Sequence, residues 1–206
     1  MMDRTDRHFR YLIRSISKYA LLHTEMITTG AILFGDKENH LAFNECEHPI
    51  ALQLGGSDPV ALAESAAIAS DQRYDEINFN VGCPSNRVQK GRFGACLMED
   101  PHLVASCVRS MACVGLPVTV KCRIGTNRNN SYQKFSDFIR IVNSEGGCSS
   151  FAVHARIAWL EGLSPKQNRK IPPLRYEFLY RLKKERPELE VVLNGGVNSL
   201  EDAEQH

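Results

Sequence analysis

Six short apolar runs, separated by helical patterns, constrain the fold of this chain more than any other feature. The runs are LLHTEMI, IALQLG, EINFNVG, VTVKCRI, FAVHA and VVLNGG, at residues 21–27, 50–55, 76–82, 118–124, 151–155 and 191–196. Between them, Asp58–Pro59 and Asp100–Pro101 each predict a helix N-cap followed by proline at the first helical position. Strand followed by helix, repeated along a chain, indicates a parallel β-sheet covered by helices.

The residues at the strand ends distinguish a closed barrel from an open sheet. In an open doubly wound sheet the ligand lies at one switch point, so only the strands beside it need polar carboxyl ends. Here nearly every predicted strand ends in polar side chains, namely Glu25, Gln53, Asn78, Asn80, Lys121, Arg123, His154, Arg156 and Asn194. A (β/α)8 barrel brings all of its strand ends to one site. We therefore predict an α/β fold of the TIM barrel type, in a single domain over residues 1–206.

The number of strands predicts an incomplete barrel. A TIM barrel contains eight βα units, and about six are visible in this sequence. The chain begins as if inside the first βα loop, and it stops in SLEDAEQH, where Ser199 and Asp202 predict the start of a helix. We expect a chain truncated at both ends, without a first strand and an eighth βα unit.

Composition excludes several other classes of protein. Hydrophobic residues make up 43% and charged residues 24% of the chain, which is typical of globular domains. No apolar run approaches the ~20 residues of a membrane span, and no secretory signal is visible. The seven cysteines form no CxxC pair and no zinc spacing. We expect no metal site, no membrane partner and a reducing, cytoplasmic environment.

Positive charge is concentrated in two segments, although the formal net charge is only +1. Residues 165–186 hold eight Lys and Arg against two Glu, a local +6. Residues 87–92 contain three cations, Arg87, Lys90 and Arg92, and no acid. A charge run of this kind is usually a solvated helix face. It is also what a protein uses to hold phosphates, so both interpretations stay open at this point.

Cys83 is the strongest candidate for chemistry. It follows a strand end, and the flanking Gly82 and Pro84 predict a tight turn that presents the thiol at the barrel mouth. Most cysteines are simply buried side chains, which is the alternative for this one. No His or Asn partner motif for a thiolate nucleophile is evident. A general acid needs no such partner, because an ordinary cysteine, with a pKa near ~8.5, is only about 3% thiolate at pH 7.

Four other strand ends could serve a cofactor. Lys121 could form a salt bridge, or it could place a positive charge beside a cofactor that becomes anionic on reduction. His154 could be a core histidine. The backbone N–H groups of 194–196, sequence NGG, suit a phosphate after a late barrel strand, although paired glycines are also common in turns. Gln53 could cap its strand or hydrogen-bond a flat heterocycle.

Taken together, the motifs of this chain resemble those of the tRNA-dihydrouridine synthases, in particular the bacterial type A branch. The matching segments run in order along nearly the whole chain: MMDRTDRH, TEMITTGAI, ALQLGGSDP, EINFNVGCPS, GACLM, VTVKCRIG, VHARIAWLEGLSPKQNR and LNGG. Arg4 stands where the family motif usually has Trp, which leaves the packing of the first loop open. The resemblance implies an FMN-bearing TIM barrel followed by a small helical domain that helps to grip tRNA, and we expect that domain to be absent here.

The resemblance also implies a role for each matching residue. Cys83 would be the catalytic proton donor. Contacts with FMN would be made by Met1, Met2, Gln53, Lys121, His154, Asn194, Gly195 and Gly196. Contacts with tRNA would be made by Asn80, Lys166 and Arg169.

The reaction implied by the resemblance is reduction of the C5=C6 bond of D-loop uridines in tRNA to 5,6-dihydrouridine. Hydride would pass from flavin N5 to C6, the proton would come from Cys83, and NADPH or NADH would be the reductant. Positions 20 and 20a are the expected targets. The uridine must leave its base stack to reach the barrel mouth, at a cost of a few kcal/mol. We expect a monomer that binds tRNA and not DNA.

Two alternatives remain from the sequence. One is an FMN barrel dehydrogenase acting on a free pyrimidine, of the dihydroorotate or dihydropyrimidine type, which also has a thiol or hydroxyl opposite flavin N5. The cations of residues 165–186 favour a polyanionic substrate instead. The other alternative is an inactive, flavin-free remnant of the enzyme.

Overall fold

The computed structural model describes residues 4–206, and six strands in this part of the chain form one parallel sheet. The strands follow the predicted positions, with small shifts at their ends: β1 (Leu22–Thr28), β2 (Ile50–Gly55), β3 (Glu76–Val81), β4 (Val118–Arg123), β5 (Ser150–His154) and β6 (Glu190–Asn194). The strand predictions are therefore confirmed. Within the same residues, no helix combines the length and apolar character needed to cross a membrane.

Helices connect the strands and also precede and follow the sheet. They are α1 (Arg7–Ile16), α2 (Thr29–Phe34), α3 (Lys37–Leu41), α4 (Pro59–Asp71), α5 (Asn86–Lys90), α6 (Pro101–Ala112), α7 (Tyr132–Gly146), α8 (Tyr176–Glu185) and α9 (Leu200–Gln205). The two predicted N-caps are confirmed, because the Asp58 and Asp100 side chains accept hydrogen bonds from the first turns of α4 and α6. Short 3-10 turns lie at Glu45–Glu47, Gly94–Glu99 and Gln167–Arg169.

The strand order identifies a partial barrel. Each strand pairs with the next one in sequence, in the order β1 to β6 and always in parallel. A doubly wound sheet reverses its strand order at a switch point, and this sheet has no reversal. Six strands wound in one direction form an incomplete TIM barrel, as the sequence predicts.

The two faces of the sheet carry different side chains. On one face, apolar residues such as Phe79, Val120 and Val153 are fully buried and join the main hydrophobic core. Burying each such side chain contributes about 1.5–3 kcal/mol to folding. On the opposite face, neighbouring strands pair Gln53 with Asn78 and Asn80 with Lys121. Because side chains alternate along a strand, these polar groups line the inside of the barrel.

Helix α1 buries the face that its sequence would be expected to expose. Phe9, Leu12 and Ile16 share one side of the helix and are solvent-exposed, whereas Arg10 and Arg14 are buried. The Arg10 guanidinium lies 2.5 Å from the buried Glu47 carboxylate. Arg14 donates to five backbone carbonyls. Those of residues 17, 18 and 20 lie between α1 and β1, and those of residues 47 and 49 lie just before β2. These hydrogen bonds compensate the desolvation of both cations, and so they fix the orientation of the helix.

Candidate active site

The side chains predicted to carry the chemistry come together at the carboxyl ends of β2 to β6. Those placed inside the barrel mouth or in the turns around it are Gln53, Asn80, Cys83, Lys121, His154, Asn194, Gly195 and Gly196. Lys166 and Arg169 lie in the loop after β5, and Met1 and Met2 fall outside the described residues. Within residues 4–206 no cluster of three or more His, Cys, Asp or Glu side chains could hold a metal ion.

A continuous chain of side-chain hydrogen bonds crosses β2, β3 and β4 inside the barrel. Asn80 Nδ2 donates to Gln53 Oε1, and Gln53 Nε2 donates to Asn78 Oδ1, each over 2.8 Å. Asn78 Nδ2 then donates to Thr119 Oγ1 over 2.8 Å, and the Thr119 hydroxyl donates to Glu76 Oε1 over 2.6 Å. Burial raises the pKa of the Glu76 carboxyl, while the bond from Thr119 lowers it. The amide chain therefore links the two ends of β3.

The backbone of the turn after β3 fixes the direction of this amide chain. Asn80 Oδ1 accepts from the N–H groups of Gly82 at 3.1 Å and Cys83 at 3.0 Å. Because backbone N–H groups can only donate, the Asn80 oxygen must face them and its nitrogen must face Gln53. Each of the Gln53 and Asn80 side chains then keeps one N–H that the chain does not use. Asn80 thereby positions the Cys83 turn as well as itself.

Thr119→Val tests whether the amide chain is a coupled unit. We expect a loss of about 1–3 kcal/mol in the free energy of unfolding, because Asn78 and Glu76 each lose a buried partner while the side-chain shape is kept. The measurement is urea denaturation. Combining this change with Asn78→Leu should cost less than the sum of the two single changes, since both remove the same bond. Additive losses would contradict the coupling.

The Cys83 turn is held on both sides while the thiol remains half-buried. Ala95 N donates to Cys83 O over 2.9 Å, and this bond holds the segment after α5 against the Cys83 turn. Ser85 caps α5 by accepting from Val88 N, and its hydroxyl lies 3.7 Å from Cys83 Sγ. Within residues 4–206 no imidazole or amine hydrogen-bonds this sulfur. The arrangement therefore suits a thiol that donates a proton better than it suits an activated thiolate nucleophile.

Lys121 and His154 meet at the ends of β4, β5 and β6. Lys121 Nζ donates to Asn194 Oδ1 over 2.8 Å. Burial is the main cause that lowers the pKa of Lys121 to about 8, with a smaller contribution from Arg123. The pKa stays above 7, so this side chain is mainly cationic at pH 7. Burial, together with the neighbouring cations, lowers the pKa of His154 to about 3, so this imidazole is neutral.

Gly195 and Gly196 form a turn that accepts no side chain. Their φ angles are +98° and +84°, and a Cβ atom at Gly195 would lie 2.3 Å from His154 Cδ2. A Cβ atom at Gly196 would lie 2.4 Å from the Tyr176 hydroxyl oxygen. Within residues 4–206 neither glycine N–H has a hydrogen-bond acceptor, and the buried Arg156 Nε has none either. These N–H groups have no acceptor among the described residues and lie close to cationic side chains such as Arg156, an arrangement that suits the binding of an anion.

Arg123, one of the polar strand-end residues of the sequence, connects the turn after β3 with the loop after β5. Its Nε donates to Gly82 O over 3.0 Å, and its Nη1 donates to Ile157 O over 3.2 Å and Asn168 O over 3.1 Å. Burial is the main cause that lowers the pKa of Arg123, to about 10, so the side chain is charged at pH 7. Its position two residues after Lys121, on the inner face of β4, is the sequence signal that could have identified it.

The loop after β5 presents Lys166 and Arg169 to solvent. Between them Asn168 is fully buried, and a 3-10 turn replaces a regular helix, as Pro165 predicts. Neither Lys166 nor Arg169 has a hydrogen-bond or ion-pair partner among the side chains of residues 4–206. Farther along, Arg181 pairs with Glu185. Lys166 and Arg169 are thus two exposed cations beside the barrel mouth, to which Arg123 ties their turn through Asn168.

Fold and site together define an incomplete TIM barrel with a thiol, side-chain amides and cations at the carboxyl ends of its strands. A sequence model of one protein family, described as "Dihydrouridine synthase (Dus)", matches residues 1–206. The chain therefore belongs to the dihydrouridine synthase family.

Several close relatives carry the name tRNA-dihydrouridine(20/20a) synthase. The protein from Vibrio vulnificus (strain CMCP6) is 58% identical over all of this chain, which covers 63% of the relative. The protein from Pseudomonas aeruginosa is also 58% identical, with 62% of it covered, and that from Escherichia coli (strain K12) is 57% identical, with 60% covered. The chain thus spans somewhat less than two thirds of the length of these relatives.

Proposed function

We propose that residues 1–206 form part of the FMN-binding TIM-barrel catalytic domain of an enzyme that reduces the C5=C6 bond of D-loop uridines in tRNA to 5,6-dihydrouridine. The observation that carries this proposal is the Cys83 turn, which the Asn80 amide holds at the mouth of a dihydrouridine synthase barrel. The names of the relatives support positions 20 and 20a as the targets. We further propose that the protein acts as a monomer in the cytoplasm, where it meets tRNA.

The residues at the mouth fit FMN. Gln53 has an unused N–H for the flat flavin ring, and Lys121 supplies a positive charge next to His154. A phosphate group suits the unpaired N–H groups of Gly195 and Gly196, and the orphaned Arg156 Nε adds a further donor. When bound and reduced by NADPH or NADH, FMN supplies the hydride that adds to C6 of uracil. Met1 and Met2 complete the proposed cofactor contacts.

The chain's own residues then complete the reaction at C5. Addition of hydride to C6 leaves negative charge at C5, and Cys83 neutralises it by breaking its S–H bond and forming the new C5–H bond. The fixed position of the thiol lowers the entropic cost of this transfer. Asn80 can hold the uracil edge with its remaining N–H. The half-buried thiolate regains its proton from water, so the turn is ready for another substrate.

Flavin spectroscopy and mass analysis of the tRNA test the proposed function directly. The purified holoprotein should show flavin absorbance, and unmodified tRNA should reoxidise it after anaerobic reduction with NADPH. Digestion and mass analysis of the tRNA should find uridine with two added hydrogens. A protein that reduces free uracil but not tRNA would be a free-pyrimidine dehydrogenase instead. A protein that never binds flavin would be a remnant without this activity.

Arg169→Ala tests the proposed contact with tRNA. If Arg169 meets a phosphate, its removal should weaken tRNA binding and lower the slope of log affinity against log salt by about 1, because one fewer counterion is released. Lys166→Ala should behave in the same way. Lys184→Ala is the matched control, since Lys184 is an exposed cation of the same basic stretch but lies on α8. Equal slopes in all variants would mean that tRNA does not contact this loop.

A further inference from the structure

Trp159 is an exposed aromatic side chain in the loop that carries the unpaired cations. It is the only tryptophan of the sequence, and 42% of its surface is exposed, although its neighbours Ala158 and Leu160 are buried. An indole ring is among the largest apolar groups in proteins, so exposing it to water is unfavourable. Its exposure in the same loop as Lys166 and Arg169 makes it a candidate contact for a ligand.

The backbone around Trp159 is held firmly although its side chain is exposed. Asn168 Oδ1 accepts from Trp159 N over 2.8 Å, and Asn168 Nδ2 donates to Trp159 O over 3.0 Å. The next residue is held too, because Leu160 N donates to Asn127 Oδ1 over 3.0 Å and Leu160 O accepts from Gln89 Nε2 over 2.5 Å. A ring on such a backbone is preorganised, and little conformational entropy remains to be lost on binding.

The same hydrogen bonds bring the backbone of Trp159 and Leu160 close to two segments that carry exposed cations. Asn168 lies in the turn between Lys166 and Arg169, and Gln89 lies on α5 between Arg87 and Lys90. The acidic side chain nearest in sequence, Glu161, is already paired with Arg128 at 2.8 Å. An exposed aromatic ring in a loop with exposed cations nearby is a combination that binds unpaired nucleotides, whose bases stack while their phosphates meet the charges.

We propose that Trp159 is a stacking platform for an unpaired base of the RNA substrate, next to the phosphates held by Lys166 and Arg169. This inference rests on the proposed RNA substrate and adds a binding contact to it. Single-stranded segments of a folded RNA can be read in this way, whereas the stacked bases of a duplex cannot reach the ring. The contact is therefore specific for RNA with exposed bases.

Intrinsic fluorescence gives a direct test, because all tryptophan emission from this chain comes from Trp159. Titration of the holoprotein with tRNA should quench the emission, and a fully paired RNA duplex of similar length should not. Binding of dye-labelled tRNA, followed by anisotropy, should weaken about 5- to 100-fold in Trp159→Leu. Trp159→Phe should keep most of the affinity. The salt slope should be the same in both variants as in the wild type, because no charge is removed.

The outcomes separate this inference from the proposed function. Normal tRNA binding by the wild type, with no quenching and with equal affinity in Trp159→Leu, would overturn the stacking platform and leave the function intact. Failure of the wild type to bind tRNA would overturn both. Emission that acrylamide cannot quench in the RNA-free protein would mean that a protein surface covers the ring, which also contradicts the inference. If Trp159→Leu does not fold, the wild-type quenching experiment decides.

Discussion

Replacing Cys83 with alanine is expected to slow uridine reduction in tRNA by about 10²–10⁴, the contribution of a positioned general acid. The variant should still bind FMN, because the Cys83 side chain hydrogen-bonds only the nearby Ser85 among residues 4–206. Flavin reduction by NADPH should keep its rate, since no proton is delivered to uracil in that half of the reaction. Stopped-flow absorbance of the flavin measures the two halves separately.

Cys96→Ala is the matched control for this experiment. Cys96 is also half-buried and lies in the loop that returns to the Cys83 turn, but its thiol donates to the backbone oxygen of Phe93. The Cys96→Ala variant should therefore reduce tRNA uridines at close to the wild-type rate. Near-normal turnover of tRNA by Cys83→Ala would contradict the role of Cys83. An equal loss in both variants would point to a structural effect of the loop instead.

Arg123→Met is expected to lower the free energy of unfolding by about 3–5 kcal/mol, because three buried carbonyl groups lose a charged donor. Methionine keeps much of the aliphatic volume, so the change tests mainly the guanidinium. Arg128→Met is the control: Arg128 is exposed and pairs with exposed Glu161, and such pairs contribute about 0–1 kcal/mol. Guanidinium chloride denaturation measures both variants. Equal losses would mean that Arg123 does not hold the turn after β3 and the loop after β5 together.

Arg123→Met should also affect the candidate active site. Arg123 donates hydrogen bonds to Gly82 in the Cys83 turn and to Asn168 in the loop after β5. Its loss should therefore loosen the proposed proton donor and the proposed RNA contacts at the same time. We therefore expect Arg123→Met to lose both activity and tRNA affinity when both are measured at a temperature where the variant remains folded.

Helix α1 illustrates the limit of prediction from local patterns. The spacing of Phe9, Leu12, Ile13 and Ile16 predicts a helix with an apolar face; the helix forms, but of these four side chains only Ile13 packs against the main core. Periodicity gives the relative positions of side chains on a helix but not the side that meets the rest of the protein. That choice depends on Glu47, which lies 37 positions after Arg10 and pairs with it.

The strands, the N-caps, the family and the position of Cys83 could be predicted from the sequence, because each depends on neighbouring residues or on a motif of fixed spacing. The partners of these groups could not be predicted, since they come from distant parts of the chain. The amide chain from Asn80 to Glu76 joins three strands. The bonds of Arg123 span 34 to 45 residues. Such contacts form only when the parallel strands align their carboxyl ends, since the directions of the inner side chains then converge on one mouth.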